Sequence, residues 1–205
     1  VLFRSVEKNI FRLVMQQWAQ TTYTDESRYD LKTRQIPDRL FQAVYRDVLN
    51  NFAEAKRIIA VDAKKTAGVK ANQIAIADVM QVYAWQMLVN TFGNVPYTEA
   101  LNYANITPKY DDARTITLDL LARLNADIVI LNANSASGSY GSSDLLYGGN
   151  IASWIKFANT LKLKLGMLLA AVGLSVSAGV FAQNSKDAYW KDSQGNIWRN
   201  SNYGD

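Results

Sequence analysis

Apolar residues recur every three or four positions through five runs of this chain, and they seldom alternate with a period of two. That spacing belongs to helices with a buried stripe, so the chain reads as all-α with no extended sheet. The runs cover about residues 3–20, 37–59, 70–92, 111–131 and 150–165. The first carries Val6, Ile10, Leu13, Val14 and Gln17 along one side. The second opens on Pro37, a favoured first-turn residue, and its inner face reads Phe41, Val44, Tyr45, Val48, Phe52, Ala55 and Ile59. The third is apolar on more than one side, which predicts a central position. The fourth starts at the Asp111-Asp112 pair, whose carboxylates can accept from the free N–H groups of a first turn. The fifth follows Gly149-Asn150 and carries Trp154, Phe157, Leu161 and Leu165. Helices two to five begin roughly 33–41 residues apart, which fits antiparallel helix pairs stacked as in tetratricopeptide-type arrays.

Composition narrows the chemistry. At 205 residues and 49% hydrophobic, the chain can bury the core of one domain or of a large piece of one. It has no cysteine and no histidine, which removes disulfides, thiolate nucleophiles, imidazole bases and most zinc and transition-metal sites. No cofactor or metal is expected. The net charge of +4 is spread as alternating signs (Asp38, Arg39, Arg46, Asp47, Glu54, Lys56, Arg57), and no basic stripe carries interleaved aromatics. This is a solvated helix face, and nucleic acid is not an expected partner.

Two long loops interrupt the helices. Residues 132–149 are rich in Ser, Gly and Asn and are expected to be largely mobile. Residues 21–36 are rich in Thr, Tyr, Asp and Arg, and together with Trp18 they combine aromatic rings, carboxylates and a guanidinium. Such a mixture suits a sugar: flat rings pack on the C–H faces of a pyranose, while Asp, Asn and Arg bond vicinal hydroxyls. The candidate ligand-binding residues are Trp18, Tyr23, Asp25, Arg28 and Tyr29. A glycosidase would instead need two facing carboxylates. The adjacent pairs Asp25-Glu26 and Asp111-Asp112 point in different directions and do not supply them, and no nucleophile-elbow, phosphate-loop or calcium-loop motif is present, so no catalytic residue is assigned. A helical-repeat scaffold that holds protein segments in its groove is the other reading of the residues.

Three motifs stand in order along the chain: Phe92-Gly93-Asn94-Val95-Pro96-Tyr97, Pro108-Lys109-Tyr110-Asp111, and Trp154-Ile155-Lys156-Phe157-Ala158-Asn159-Thr160-Leu161-Lys162-Leu163. Together they resemble the SusD/RagB family over about residues 10–165. The resemblance implies a tetratricopeptide-like, SusD-type helical array, here as a partial domain. It implies a lipoprotein at the outer membrane, exposed on the cell surface, that captures glycans or peptides and passes them to a TonB-dependent, SusC-like transporter. It also implies that the loop containing Trp18 is a place for ligand contacts. Gly93 has a simpler role beside this one, as a helix C-terminal residue with Pro96 barring continuation. The chain begins at Val1, and a fragment of a longer protein with its lipid-bearing cysteine upstream is expected.

Residues 166–182 are apolar and uncharged, follow Lys156, Lys162 and Lys164, and end in Val180-Phe181-Ala182, which is the type of a secretory signal peptide. The segment from Asp187 through Tyr189, Trp190 and Trp198 to Asn200 resembles the mature N-terminus of OmpA-type proteins. We therefore expect residues 1–165 to be a SusD-like helical region and residues 166–205 to derive from another gene. The alternative is that the fifth helix simply continues.

Overall fold

The computed structural model describes residues 10–22, 24–33, 35–183, 189–191 and 197–199, with side chains through residue 170 apart from Phe11. Caps and breakers set the helix ends. Helix α1 (Ile10–Val14) ends well before residue 20, where the expected first run stops, and residues 1–9 of that run lie outside the described ones. It stops because Gln16 turns left-handed at φ 56°, letting Gln17 N–H reach the Arg12 carbonyl at 2.8 Å and Gln16 N–H the Leu13 carbonyl at 3.0 Å, a Schellman ending. Helix α2 (Ile36–Gln42) has Pro37 in its first turn, as expected, and runs through a π-helical segment (Ala43–Leu49) into α3 (Asn50–Val61). Helix α4 (Ala67–Phe92) starts earlier than Lys70 because Thr66 Oγ1 accepts the Val69 N–H. Helix α5 (Ala113–Ala133) is capped by Asp112, whose Oδ2 accepts from Thr115 N–H at 2.9 Å. Asn150 Oδ1 accepts from Ser153 N–H at 3.0 Å at the start of α6 (Ile151–Gln183), which takes in residues 166–182.

The all-α reading holds, with paired helices built on a central α4. Ile76, Val79, Val82, Trp85 and Leu88 of α4 are buried between α3 on one side and Leu120 and Leu124 of α5 on the other. Each such side chain contributes about 1.5–3 kcal/mol of hydrophobic stabilisation at most. The π segment corrects the expected face of the second helix. Val44 and Val48 are buried as expected, but Leu49, which the α-helical reading of Phe41, Val44, Tyr45, Val48 and Phe52 left out, is fully buried too and stands five residues after Val44, one π turn.

Short β bridges join the helices. Gly93, at φ 74°, ends α4 by donating to the Val89 carbonyl at 2.9 Å, and β1 (Val95–Pro96) then pairs antiparallel with β2 (Tyr110–Asp111), Val95 opposite Asp111. Asn94 Oδ1 accepts from Ala113 N–H at 3.0 Å, so one turn closes α4 and caps α5. Asp111 does not cap α5. Its Oδ2 accepts from the N–H groups of Tyr97 (3.1 Å) and Thr98 (2.7 Å), and these bonds, foremost that from Thr98, hold its carboxyl below the usual carboxylate range.

The loop of residues 132–149 is not loose. Asn72 Nδ2, wholly buried on α4, donates to the carbonyls of Asn134, Ser137 and Gly138, and Gln73 Nε2 donates to that of Ser139 at 2.8 Å. Asp144 accepts from three loop N–H groups and from Trp154 Nε1 at 2.6 Å. Polar composition marked this stretch as mobile because the donors that tie it down lie more than sixty residues away.

The chain divides into two units, Val1–Lys162 and Leu163–Asp205, with α6 crossing the division. In the second unit β3 (Tyr189–Lys191) pairs antiparallel with β4 (Ile197–Arg199), Trp190 opposite Trp198. Among the described residues no helix is long and apolar enough to cross a membrane.

Candidate functional site

The loop after α1 is clasped at its middle. Gln20 N–H donates to Ser27 Oγ at 3.1 Å, Ser27 N–H donates to Gln20 Oε1 at 3.2 Å, and Gln20 Nε2 donates to Glu26 Oε2 at 2.7 Å. Glu26 is buried within this clasp, at the start of a one-turn 3₁₀ helix (Glu26–Arg28). Tyr29 then turns left-handed at φ 64°, and Asp30 closes the next turn by accepting from Lys32 N–H, Thr33 N–H and Thr33 Oγ1. The bond from the Thr33 hydroxyl and those from the two N–H groups hold the Asp30 carboxyl below its usual range.

This places the sequence-predicted residues. Trp18 and Tyr29, 51% and 55% exposed, flank the clasp, and Arg28 is exposed beside Tyr29. The Arg12 guanidinium lies 4.7 Å from the centre of the Trp18 ring, which fixes that ring with a cation–π contact. Asp25 is half-buried at the start of the 3₁₀ turn, its carbonyl taking the Asp30 N–H at 2.8 Å. Tyr23 lies outside the described residues.

A groove that the sequence reading did not single out lies beside the π segment. About 620 Å³ in volume, it has one wall from Phe41, Gln42, Tyr45, Arg46 and Asn50 and the other from residues 101–106. Its rings are locked: Phe41 and Tyr45 stand 4.5 Å apart, Phe41 meets Phe92 edge-on at 5.4 Å, and Tyr45 meets Trp85 edge-on at 5.4 Å. Tyr45 donates its hydroxyl to the Pro96 carbonyl at 2.6 Å, and burial pushes that phenol well up. The only sequence hint was a tyrosine and an isoleucine, Tyr103 and Ile106, in a polar stretch with no periodicity to bury them.

Behind the groove, a half-buried charge cluster joins α3, α4 and α5. Asp78 accepts from Lys56 Nζ and from Arg123 Nη2 and Nε at 2.7 and 3.0 Å. Burial works against its charge, but Arg123 and Lys56 hold the carboxyl below the usual range. Arg123 Nη1 also donates to the Tyr97 hydroxyl, which donates to Asp119, and burial, reinforced by that carboxylate, pushes Tyr97 up to about 12. Burial, reinforced by the Asp78 carboxylate, pushes Asp127 up to about 8, which favours its protonated form. Perturbed carboxyls can mark catalysis, but here the two basic side chains occupy Asp78 and neither acid lines the groove. The cluster ties α3, α4 and α5 together through these bonds.

Comparison with known proteins fits this architecture. Residues 2–190 match the family described as SusD-like, starch-binding associating with outer membrane, a span that passes Leu165, where the resemblance read from the sequence was expected to end. No curated protein matches. Among solved structures, a SusD homolog from Bacteroides uniformis is similar at 25% identity and TM-score 0.56, over 74% of this chain and 32% of its own. A chitin-binding protein is similar at 32% identity and TM-score 0.54, over 64% of this chain and 27% of its own. A chitin-binding SusD homolog from Flavobacterium johnsoniae is similar at 26% identity and TM-score 0.52, over 62% and 26%. The chain thus spans about a third or less of the length of these relatives. Its paired helices on a central α4, its ordered turn motifs and a family match over most of its length together place the chain in the SusD-like family.

Proposed function

We propose that this chain belongs to a non-catalytic capture protein that holds a glycan at the outer surface of the outer membrane and delivers it to a TonB-dependent, SusC-like transporter. The observation that carries the reading is the clasped loop, which presents Trp18, Arg28 and Tyr29 to solvent on a hydrogen-bonded frame. Exposed rings beside the exposed Arg28 guanidinium stack on and bond a polyhydroxylated ring and need no proton transfer. The chitin-binding relatives support a glycan over a peptide, and family membership supports an outer-membrane setting with a lipid anchor upstream.

The test is the double change Trp18→Ala with Tyr23→Ala in the full-length protein, titrated with chitin oligosaccharides. Binding should be lost while the helical circular-dichroism signal stays. Unchanged affinity overturns the loop as the site, and turnover of the sugar overturns the non-catalytic reading. Co-purification with the product of a neighbouring transporter gene tests the partner. That residues 166–205 derive from a second gene is a separate proposal, which sequencing the source locus across Leu165 decides.

A further inference from the structure

Three unusual features converge on the groove between residues 41–50 and 101–106. The first is the π segment Ala43–Leu49, an irregularity that breaks the helical ladder and turns Tyr45 toward the groove wall. The second is Leu101, a bulky residue held at φ 61°, where a side chain crowds its own backbone. The third is what Leu101 leads into. Tyr103 and Ile106 are 82% and 91% exposed, on a loop braced by its own hydrogen bonds. Asn102 Oδ1 accepts from Ala104 N–H at 3.1 Å, Asn105 Oδ1 from Thr107 N–H at 3.1 Å, and Glu99 Oε2 takes Asn105 Nδ2 at 2.8 Å and Lys109 N–H at 3.2 Å. Tyr103 donates its hydroxyl to Asn50 Oδ1 at 2.7 Å, which sets its ring over the opposite wall. Presenting a tyrosine and an isoleucine to water on a braced loop adds nothing to folding, and strain held in place by its surroundings points to a site.

From this we infer that the groove is a binding site for a neutral oligosaccharide of a few pyranose units, separate from the loop of residues 18–30. The proposal goes beyond the reading above, because it stands whether or not that loop binds anything. The lining selects the ligand. Its volume lies within the roughly 300–1,000 Å³ of small-molecule sites. The lining contains no carboxylate, and its one cation, Arg46, is bonded to Asp47 at 2.7 and 3.1 Å, so the groove favours an uncharged guest. The Gln42 amide and the Nδ2 groups of Asn50 and Asn102 have no protein partner among the described residues, leaving donors for ring hydroxyls beside the rings of Phe41, Tyr45 and Tyr103. A peptide would call for an open strand edge or a row of apolar pockets, and this lining offers neither.

The test is a titration of the isotopically labelled, purified chain with three hexasaccharides, of β-linked N-acetylglucosamine, β-linked glucose and α-linked glucose, and with a proline-rich peptide. Side-chain amide resonances of Asn50 and Asn102 are followed by NMR. At least one hexasaccharide should shift both. Tyr103→Ala should weaken that binding about tenfold or more, whereas Tyr103→Phe, which keeps the ring and loses the bond to Asn50, should stay within about threefold. Tyr103 is exposed, so folding is preserved in both variants, and circular dichroism checks it. Silence of both amides with all three sugars overturns the proposal, as do shifts that survive Tyr103→Ala or that only the peptide produces. Shifts confined to Trp18 Nε1–H overturn it while upholding the loop of residues 18–30.

Discussion

The loop of residues 18–30 and the groove beside Tyr103 display similar chemistry, flat rings among polar side chains, yet they are built in opposite ways. The loop is held by bonds between residues seven or fewer apart, such as Gln20 to Ser27. The groove is assembled from segments about fifty apart, through Tyr103 to Asn50 and Tyr45 to Pro96. The shape of the loop is therefore set locally. The groove inherits its shape from the packing of α3, α4 and α5 and from the half-buried charges between them. Changes to the scaffold should reach the groove, and changes to the clasp should stay where they are made.

The largest effect should come from Asp78→Ala, which strands Lys56 and Arg123 among three helices. A loss of about 3–5 kcal/mol in urea unfolding is expected. A loss below about 1 kcal/mol would mean that the groove does not depend on this cluster. A pH-dependent effect of comparable size comes from the proton on Asp127. Its folded-state value of about 8 exceeds the ordinary 3.8, so the unfolded chain releases that proton first. The stability it contributes is whole below about pH 4, declines by up to about 1.4 kcal/mol per pH unit as pH rises, and is gone above about 8. Asp127→Asn should flatten this slope in thermal unfolding between pH 5 and 8, roughly the window between those values. An unchanged slope would place the proton elsewhere.

Smaller is Tyr45→Phe, which leaves the buried Pro96 carbonyl without its donor. It should cost about 1–2 kcal/mol and shift the groove amides without touching those of the 18–30 loop. The smallest is Gln20→Ala. Removing the clasp should cost at most about 1 kcal/mol of global stability, while the Ser27 amide exchanges faster and Tyr103 is unaffected. If the groove responded to Gln20→Ala, the two regions would not be separate.

The sequence made the contiguous parts of this molecule visible and hid the assembled ones. Helix periodicity placed α4 at the centre, Pro37 at the start of α2 and the Asp112 cap at the start of α5, because each is a local preference. Asp111, one residue earlier, looks like the same cap and instead closes a turn onto Thr98. The mobility expected of residues 132–149 failed for a related reason, since the amides of Asn72 and Gln73 read as polar positions on a helix and nothing nearby says where they point. The loop of residues 18–30 could be put forward as a candidate from the sequence because its rings are close along the chain. Tyr103 and Phe41 lie too far apart for composition to join them.

The π turn at Ala43–Leu49 also bears on how relatives of this chain should be compared. A helix that carries one spare residue behaves as two rods with independent phases, offset by roughly 100°. An aligned sequence that lacks the spare residue would need its gap placed inside residues 43–49. Placed anywhere else, that gap would pair core positions with solvent positions all the way to Val61.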